Sequence, residues 1–251
     1  MSDALARSSA RDYSRALATA PKALTALGII TLVGAAAMLV ELYLVFVYAP
    51  IEKQMGIVYK VLFFHAPSAY AMYIGFGVSA LCSAAYLVKR DERWDAWAVA
   101  GAEVGAAFCL IMLTTGPLWG RKAWGTYWTW DPRLTSTLLA GMIYFAYIIL
   151  RSFGGIGEVE RRFAAGLSIF GLLDIPVIHY SVQRWRGTHP TVITGKGGGL
   201  SPEMYPALFM GFGVFTLLAI LLIWQRARVE LLRQRVLAIE ITAGERGLPE
   251  E

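Results

Sequence analysis

The run Tyr205-Pro-Ala-Leu-Phe-Met-Gly-Phe-Gly-Val-Phe-Thr-Leu-Leu-Ala-Ile-Leu-Leu-Ile-Trp224 decides the fold class, because none of its side chains is charged. A helix that crosses the hydrocarbon core of a bilayer needs roughly 20 mostly apolar residues. Five earlier stretches have the same character, namely residues 24–47, 62–88, 97–115, 134–150 and 164–181. The sequence therefore predicts an all-α polytopic membrane protein, a bundle of six transmembrane helices.

The composition agrees with this fold class. Of the 251 residues, 57% are hydrophobic and only 16% are charged, which lies outside the usual range of soluble domains. We predict an N-terminal tail over residues 1–22, a transmembrane domain over 23–225 and a C-terminal tail over 226–251. The first apolar stretch is too long for a cleaved signal peptide and is expected to stay as an anchor. The Arg/Ser/Ala-rich head leaves a mitochondrial presequence open, although Asp3 and Asp12 count against it.

Lysine and arginine are divided unevenly between the two ends of the predicted helices. With the N-terminus inside, fifteen of the 23 basic residues fall on the inner side and eight on the outer side. Because inner loops carry the excess of Lys and Arg, both termini are predicted to be cytoplasmic. The inner connectors are short, whereas the outer segments 116–133 and 183–202 are rich in aromatic residues and in glycine, respectively. Function is therefore expected at the outer side.

The sequence lacks the motifs that mark several classes of function. No C-x-x-C-H is present, so haem is not expected to be attached covalently as in a c-type cytochrome, and Cys82 and Cys109 lie inside apolar stretches as small hydrophobes. No G-x-x-x-x-G-K-[ST] is present, so ATP-driven work requires another subunit. The net charge of +5 lies along the inner rim without interleaved aromatics, which argues against nucleic-acid binding.

A tryptophan-rich segment separates the third and fourth stretches: Trp119-Gly-Arg-Lys-Ala-Trp-Gly-Thr-Tyr-Trp-Thr-Trp-Asp-Pro-Arg133. Four of the eight tryptophans fall here, whereas an aromatic belt, the alternative that stays open, scatters them over many helix ends. Indole rings stack on π-systems, and Gly120 and Gly125 permit close approach, so the segment suits a large flat ligand. Trp124 and Trp128 would share a face if this part were helical. Cationic partners for carboxylates on that ligand are Arg121, Lys122 and Arg133.

All three histidines lie at or near the predicted outer face. His65 opens the second stretch, His179 lies near the end of the fifth, and His189 follows in the loop. Imidazole is a standard axial ligand of haem iron, although a lone histidine is more often a hydrogen-bonded interfacial residue. His179, three residues after Pro176, is predicted to be structural.

Three acidic residues lie inside the stretches: Glu41, Glu103 and Asp174. A charge at mid-bilayer costs at least a few kcal/mol, so these side chains are expected to face the bundle interior. They could form a relay, but hydrogen bonding between helices is the favoured interpretation. Glu103 lies between Gly101 and Gly105, small residues that let helices approach closely.

The tryptophan-rich segment resembles the WWD signature of haem-handling proteins, through Trp119-Gly120, Trp124-Gly125-Thr126, Trp128, Trp130-Asp131 and Arg133-Leu134-Thr135. Six predicted helices with a single such loop resemble the smallest branch of that superfamily, the haem exporter protein C (CcmC) family of cytochrome c maturation. The resemblance covers roughly residues 58–224. It departs at Tyr127, where a tryptophan is common; tyrosine keeps the flat ring and adds a hydroxyl.

The resemblance implies a site for haem b, bound non-covalently and transiently. His65 and His189 match the two axial ligands of the iron, and His179 matches no ligand position. The loop residues that the resemblance assigns to the site are Trp119, Gly120, Trp124, Gly125, Tyr127, Trp128, Trp130 and Asp131. The cations Arg121, Lys122 and Arg133, proposed above as partners for carboxylates, complete the predicted site.

The resemblance also implies partners. At the periplasmic face of the bacterial inner membrane, haem is presented to the haem chaperone CcmE, which binds it covalently. An ABC transporter, made of the ATPase CcmA and the permease CcmB, associates with the protein and releases the loaded chaperone, assisted by the small membrane protein CcmD. The missing phosphate-binding motif agrees with ATP hydrolysis in a separate subunit. Such a protein is a haem presentation and transfer factor, not an enzyme.

Two other function classes stay open. A membrane b-type cytochrome or quinone oxidoreductase would favour histidine pairs on facing helices at two depths, whereas these histidines cluster near one face. A cofactor-free permease subunit of an ABC exporter would use its tryptophans only as a belt. Quinol-coupled redox titration tests the first class, and haem absorbance in the gently purified protein tests the second.

Overall fold

A computed structural model of the protein describes residues 25, 27–153, 157–185 and 200–245. Six helical segments in these ranges are long and apolar enough to cross a membrane. The helices are α1 (Leu27–Tyr48), α2 (Leu62–Lys89), α3 (Glu92–Trp124), α4 (Pro132–Phe153), α5 (Glu158–Leu172), α6 (Asp174–Trp185) and α7 (Tyr205–Glu245). Within the described residues no strand is present, so the prediction of an all-α membrane bundle is confirmed.

Helices α2 and α3 form the tightest pair, because glycines let their backbones touch. A Cβ atom added at Gly75 would lie 2.5 Å from the Cα atom of Gly105, and one at Gly101 would lie 2.7 Å from the backbone nitrogen of Ser79. Lipid gives helices no hydrophobic reason to associate, so close van der Waals packing of this kind holds the pair. The sequence identified Gly101 and Gly105, and the structure adds Gly75 as their partner.

A buried aromatic pair joins α2 to α4 and α5. The rings of Phe76 and Tyr144 stack with centroids 3.6 Å apart and an interplanar angle of 2°. The Tyr144 hydroxyl lies 3.2 Å from the carbonyl oxygen of Phe76 and 3.0 Å from that of Ser168. The hydroxyl is thus satisfied inside the bundle, as a buried tyrosine requires.

The end of the bundle opposite Trp124 is held by buried charges. Asp95 accepts a 2.7 Å hydrogen bond from Arg151 and a 3.1 Å bond from the Gln234 amide, and the Nε atom of Arg161 lies 3.6 Å away. Arg161 also donates to Glu92 at 2.7 Å. These contacts tie α3, α4, α5 and α7 together. Removing one partner of a buried ion pair leaves an uncompensated charge, so these contacts are expected to be needed together.

The fifth predicted helix consists of two helical segments. One membrane crossing covers Glu158–Val182, but α5 ends at Leu172 and α6 begins at Asp174. Pro176 has no N–H to bond the carbonyl four residues earlier, which favours the break. The Leu173 N–H bonds the Phe170 carbonyl at 3.1 Å, a tight turn that closes α5.

The last helix, α7, extends past residue 225 into the predicted C-terminal tail. Helix α7 continues to Glu245, and Gln234 is still buried against the bundle. The cause is the contact with Asp95, together with the Arg226 guanidinium, which pairs with Glu103 on α3. The predicted N-terminal tail, residues 1–22, lies outside the described residues.

The acidic residues of the membrane segments face inward, as expected. Glu103 forms an ion pair with Arg226, with a distance of 2.8 Å from the Nη2 atom to the Oε1 atom. Asp174 is buried, and Glu41 is fully buried against Gly211. Hydrogen bonding between helices, the favoured interpretation, therefore holds for Glu103. Among the described residues, neither carboxylate oxygen of Glu41 has a hydrogen-bond partner.

Candidate functional site

The tryptophan-rich segment is half helix and half turn, which corrects the prediction of a loop over residues 116–133. Helix α3 continues through Trp124 and is closed by Gly125, whose φ of +79° favours glycine. Gly116 and Pro117 resemble a helix end in the sequence, but Pro117 removes only its own backbone bond, and the neighbouring turns continue. Trp124 and Trp128 do not share a helical face, because the helix ends at Trp124.

Two pairs of indole rings form the aromatic surface, which we call the tryptophan platform: Trp119 with Trp124, and Trp128 with Trp130. The rings of the first pair meet edge to face with centroids 5.7 Å apart, and those of the second with centroids 5.8 Å apart. Gly120 is required beneath Trp124, because a Cβ atom there would lie 3.0 Å from the indole ring. Trp130 is 77% exposed, so the platform is open to a large ligand or to another protein.

The turn after α3 is fixed by polar contacts. The Arg121 guanidinium donates to the Gly125 carbonyl and lies over the Tyr127 ring, 5.7 Å from its centroid. The Thr126 hydroxyl donates to the Trp128 carbonyl at 3.2 Å. Lys122 is exposed beside this turn. Arg121 and Lys122 thus lie at the rim of the platform, where carboxylates of a ligand could reach them.

Asp131 and Arg133 anchor the platform to the bundle. Asp131 is 6% exposed and accepts a 2.9 Å bond from the Arg133 backbone N–H at the start of α4. The Arg133 guanidinium donates to the carbonyl oxygens of Ile178 and His179 on α6, at 3.3 and 3.1 Å. These contacts fix the position of Arg133, and its role as a partner of ligand carboxylates stays a prediction.

His65 lies on the first turn of α2, directly against α3. Its Nδ1 atom is 2.9 Å from the Thr115 hydroxyl oxygen. A Cβ atom on Gly116 would lie 3.1 Å from the His65 Cε1 atom, so glycine makes room for the ring. Trp119 follows Thr115 by one helical turn and therefore lies on the same side of α3. The structure thus brings His65 to the base of the platform.

The remaining two histidines are His179, on α6, and His189. His179 is exposed on α6, where its ring contacts that of Tyr180 with centroids 4.9 Å apart and its carbonyl accepts from Arg133. His189 lies outside the described residues, as does most of the outer segment 183–202.

Three buried donors of the platform region have no hydrogen-bond partner among the described residues. They are the indole nitrogens of Trp119 and Trp128 and the hydroxyl of Thr129. A buried donor left without an acceptor costs about 1–3 kcal/mol. Two of the three donors belong to the tryptophan platform, and the third, Thr129, lies between Trp128 and Trp130 in the sequence. Sequence spacing identified the tryptophans but missed Thr115, Gly116 and Thr129.

Fold and site together define a multi-pass α-helical membrane protein with a tryptophan platform beside a histidine at one end of the bundle. The chain matches the haem exporter protein C family over residues 11–242. It therefore belongs to the haem exporter protein C family, whose role is haem handling in cytochrome c maturation.

Individual relatives of this kind align with most of the chain. The chain is 36% identical to the haem exporter protein C of Bradyrhizobium diazoefficiens over 203 residues, 79% of this chain and 76% of the relative. It is 33% identical to the haem exporter protein C of Escherichia coli K12, covering 73% and 74%. It is also 32% identical to a ccmC-like mitochondrial protein of cytochrome c biosynthesis in Marchantia polymorpha, covering 69% and 74%.

Proposed function

We propose that the protein holds haem at the periplasmic face of the bacterial inner membrane and transfers it to the haem chaperone CcmE. It works with the ABC transporter subunits CcmA and CcmB and with CcmD. The observation that carries the proposal is the position of His65, which meets α3 at Thr115 and Gly116 one turn below Trp119. In this proposal the ligand for iron and the surface for the porphyrin lie side by side.

In this proposal two kinds of group share the work. His65 and His189 ligate the iron of haem b, and the tryptophan platform packs against the macrocycle. The indole N–H groups of Trp119 and Trp128 have no acceptor among the described residues, so in this proposal a side-chain movement on haem binding brings them to an acceptor on the ligand. No covalent bond holds the haem, since the chain has no C-x-x-C-H.

Transfer requires that haem remain reachable. Trp130 and Tyr127 are 77% and 57% exposed, so the outer edge of the platform is open to a docking chaperone. A coordinate bond and ring stacking are both reversible without a chemical step in this chain. The protein therefore acts as a presentation and transfer factor, and ATP hydrolysis belongs to a separate subunit.

The excess of Lys and Arg at the end opposite the platform supports the orientation. With the platform periplasmic, both termini are cytoplasmic and the positive-inside rule is satisfied.

Haem delivery tests the proposal. We expect His65→Ala and His189→Ala to change the haem spectrum of the purified complex and to cut CcmE haemylation sharply, because each removes an iron ligand. His179→Ala is the matched control and should leave both measurements at wild-type values, since that side chain is exposed on α6. If His179→Ala destroys both while the other two variants retain them, the assignment of the site is wrong.

A further inference from the structure

The hydroxyl of Thr115 lies between the His65 imidazole and carbonyl oxygens of its own helix, of which that of Met112 is the more distant, at 3.4 Å. The Thr115 oxygen is 2.7 Å from the Ile111 carbonyl oxygen one turn earlier on α3, and 2.9 Å from the Nδ1 atom of His65 on α2. A carbonyl oxygen can only accept, so the single hydroxyl hydrogen of Thr115 points at Ile111. The Thr115 oxygen is then an acceptor toward the imidazole, and the Nδ1 atom of His65 must carry a proton.

The reverse arrangement conflicts with this geometry. If the Thr115 hydroxyl donated to an unprotonated Nδ1 atom, two oxygens 2.7 Å apart, those of Thr115 and Ile111, would face each other without a hydrogen between them. That distance is typical of an O–H···O hydrogen bond and is repulsive without one.

We infer that Thr115 is a positioning residue: it holds neutral His65 in the tautomer protonated at Nδ1, so that Nε2 carries the lone pair that binds haem iron. The inference rests on the proposed function. A histidine that ligates a metal usually donates its other ring N–H to a nearby acceptor, which fixes the tautomer, the ring orientation and the basicity of the ligating nitrogen. Here the acceptor is a helix-bound hydroxyl.

Gly116 restricts the ring from a second direction. A Cβ atom added at Gly116 would lie 3.1 Å from the Cε1 atom and 3.9 Å from the Nδ1 atom of His65. The imidazole therefore packs directly on the α3 backbone while Thr115 accepts from it. Hydrogen bond and packing together set the direction in which Nε2 points.

The chain offers a matched control for Thr115 at the preceding position. The Thr114 hydroxyl also bonds back to α3 carbonyls, those of Leu110 and Ile111, both at 2.9 Å, and its side chain is exposed. Thr114→Val and Thr115→Val thus make the same chemical change on the same helix, but only the second removes an acceptor from His65. Thr115→Ser restores the hydroxyl.

The first measurement needs no haem. Full-length protein with ¹⁵N-labelled histidine rings is placed in lipid nanodiscs, and the His65 resonances are assigned by their loss in His65→Ala. We expect neutral His65 to be protonated at Nδ1 in the wild type, in Thr114→Val and in Thr115→Ser, and to lose that preference in Thr115→Val. Protonation at Nε2 in the wild type would overturn the inference, even if no variant folded.

The second measurement uses haem as the probe. Loss of a group that orients a metal ligand typically costs 10- to 100-fold in metal affinity, so we expect haem affinity to fall by about that factor in Thr115→Val, with a shifted Soret band and reduction potential. Thr115→Ser should recover the wild-type spectrum, and Thr114→Val should keep it.

The outcomes separate the two proposals. If His65→Ala changes the haem spectrum but Thr115→Val matches the wild type in tautomer and spectrum, the inference about Thr115 is wrong and the proposed function stands. If His65→Ala leaves the haem spectrum unchanged, the proposed function loses its ligand, and with it the inference that Nε2 of His65 binds iron.

Discussion

At the residue scale, the site combines groups that act in different ways. A bond from imidazole to iron is strong and directional, whereas each indole shares a wide surface with its neighbours. One aromatic contact is worth about 0.5–1.5 kcal/mol beyond its buried area. Loss of an iron-ligating histidine should therefore change the absorption spectrum of the bound haem. Loss of one indole ring should lower the affinity for haem without changing that spectrum.

The buried N–H of Trp128 gives a sharper prediction. Trp128→Phe keeps an aromatic ring but removes a donor that has no partner among the described residues. We expect haem affinity to fall by about 2- to 10-fold, within the energy of one aromatic or hydrogen-bond contact. The ligation spectrum should not change.

Thermal unfolding of the haem-free protein provides the control, because removing an unsatisfied donor should offset part of the packing lost with the larger ring. A large loss of haem-free stability at unchanged haem affinity would mean that the indole N–H is structural and does not meet the ligand.

At the scale of single elements, the sequence predicts the membrane-crossing helices, which long apolar runs determine. It does not predict features that depend on contacts between helices. All six membrane crossings follow from hydropathy, because a long apolar segment in lipid must satisfy its backbone hydrogen bonds internally and therefore forms a helix. The extension of α3 through Trp124 was missed because Gly116 and Pro117 resemble a helix end. The contact between His65 and Thr115 was also missed, because it joins residues 50 positions apart and depends on how α2 and α3 are aligned.

The α2–α3 interface makes that alignment testable. Gly75 leaves no space, because an added Cβ atom would lie 2.5 Å from Gly105, whereas Gly77 on the same helix has nothing within 4 Å. We expect Gly75→Val to separate the helices and to lower the free energy of unfolding by a few kcal/mol, because the added side chain overpacks the interface. Haem binding should weaken, because His65 is displaced from Thr115.

Gly77→Val makes the same change on the open side of α2 and should leave haem binding intact. Thermal unfolding and haem titration of both variants measure the difference. Equal effects of the two substitutions would show that the close contact of α2 with α3 does not position the site.

At the scale of the whole molecule, the two ends of the bundle differ. One end carries the tryptophan platform and His65, and the other carries the buried network around Asp95. The sequence predicts this polarity from the distribution of Lys and Arg, but it could not predict that Arg151 and Arg161 would be buried on one carboxylate. Counts of Lys and Arg predict the side of the membrane, whereas the pairing of buried charges depends on how four helices meet.

The orientation can be measured by cysteine labelling. Lys122 lies at the platform and Arg235 near the opposite end, and both are exposed, while the two native cysteines are buried. In intact spheroplasts, a membrane-impermeant maleimide should label Lys122→Cys and should label Arg235→Cys only after the membrane is opened. Labelling of the two sites in the opposite order would place the platform in the cytoplasm and contradict a periplasmic haem site.

The most direct test of the central claim is chemical rescue of the proposed iron ligand. His65→Gly removes the imidazole and leaves a space that free imidazole can enter, beside Thr115 and Gly116. We predict that the Soret and magnetic circular dichroism spectra of the haem-loaded protein change in His65→Gly and return toward those of the wild type when imidazole is added. Wild-type spectra in His65→Gly without imidazole would contradict the claim that His65 binds the iron.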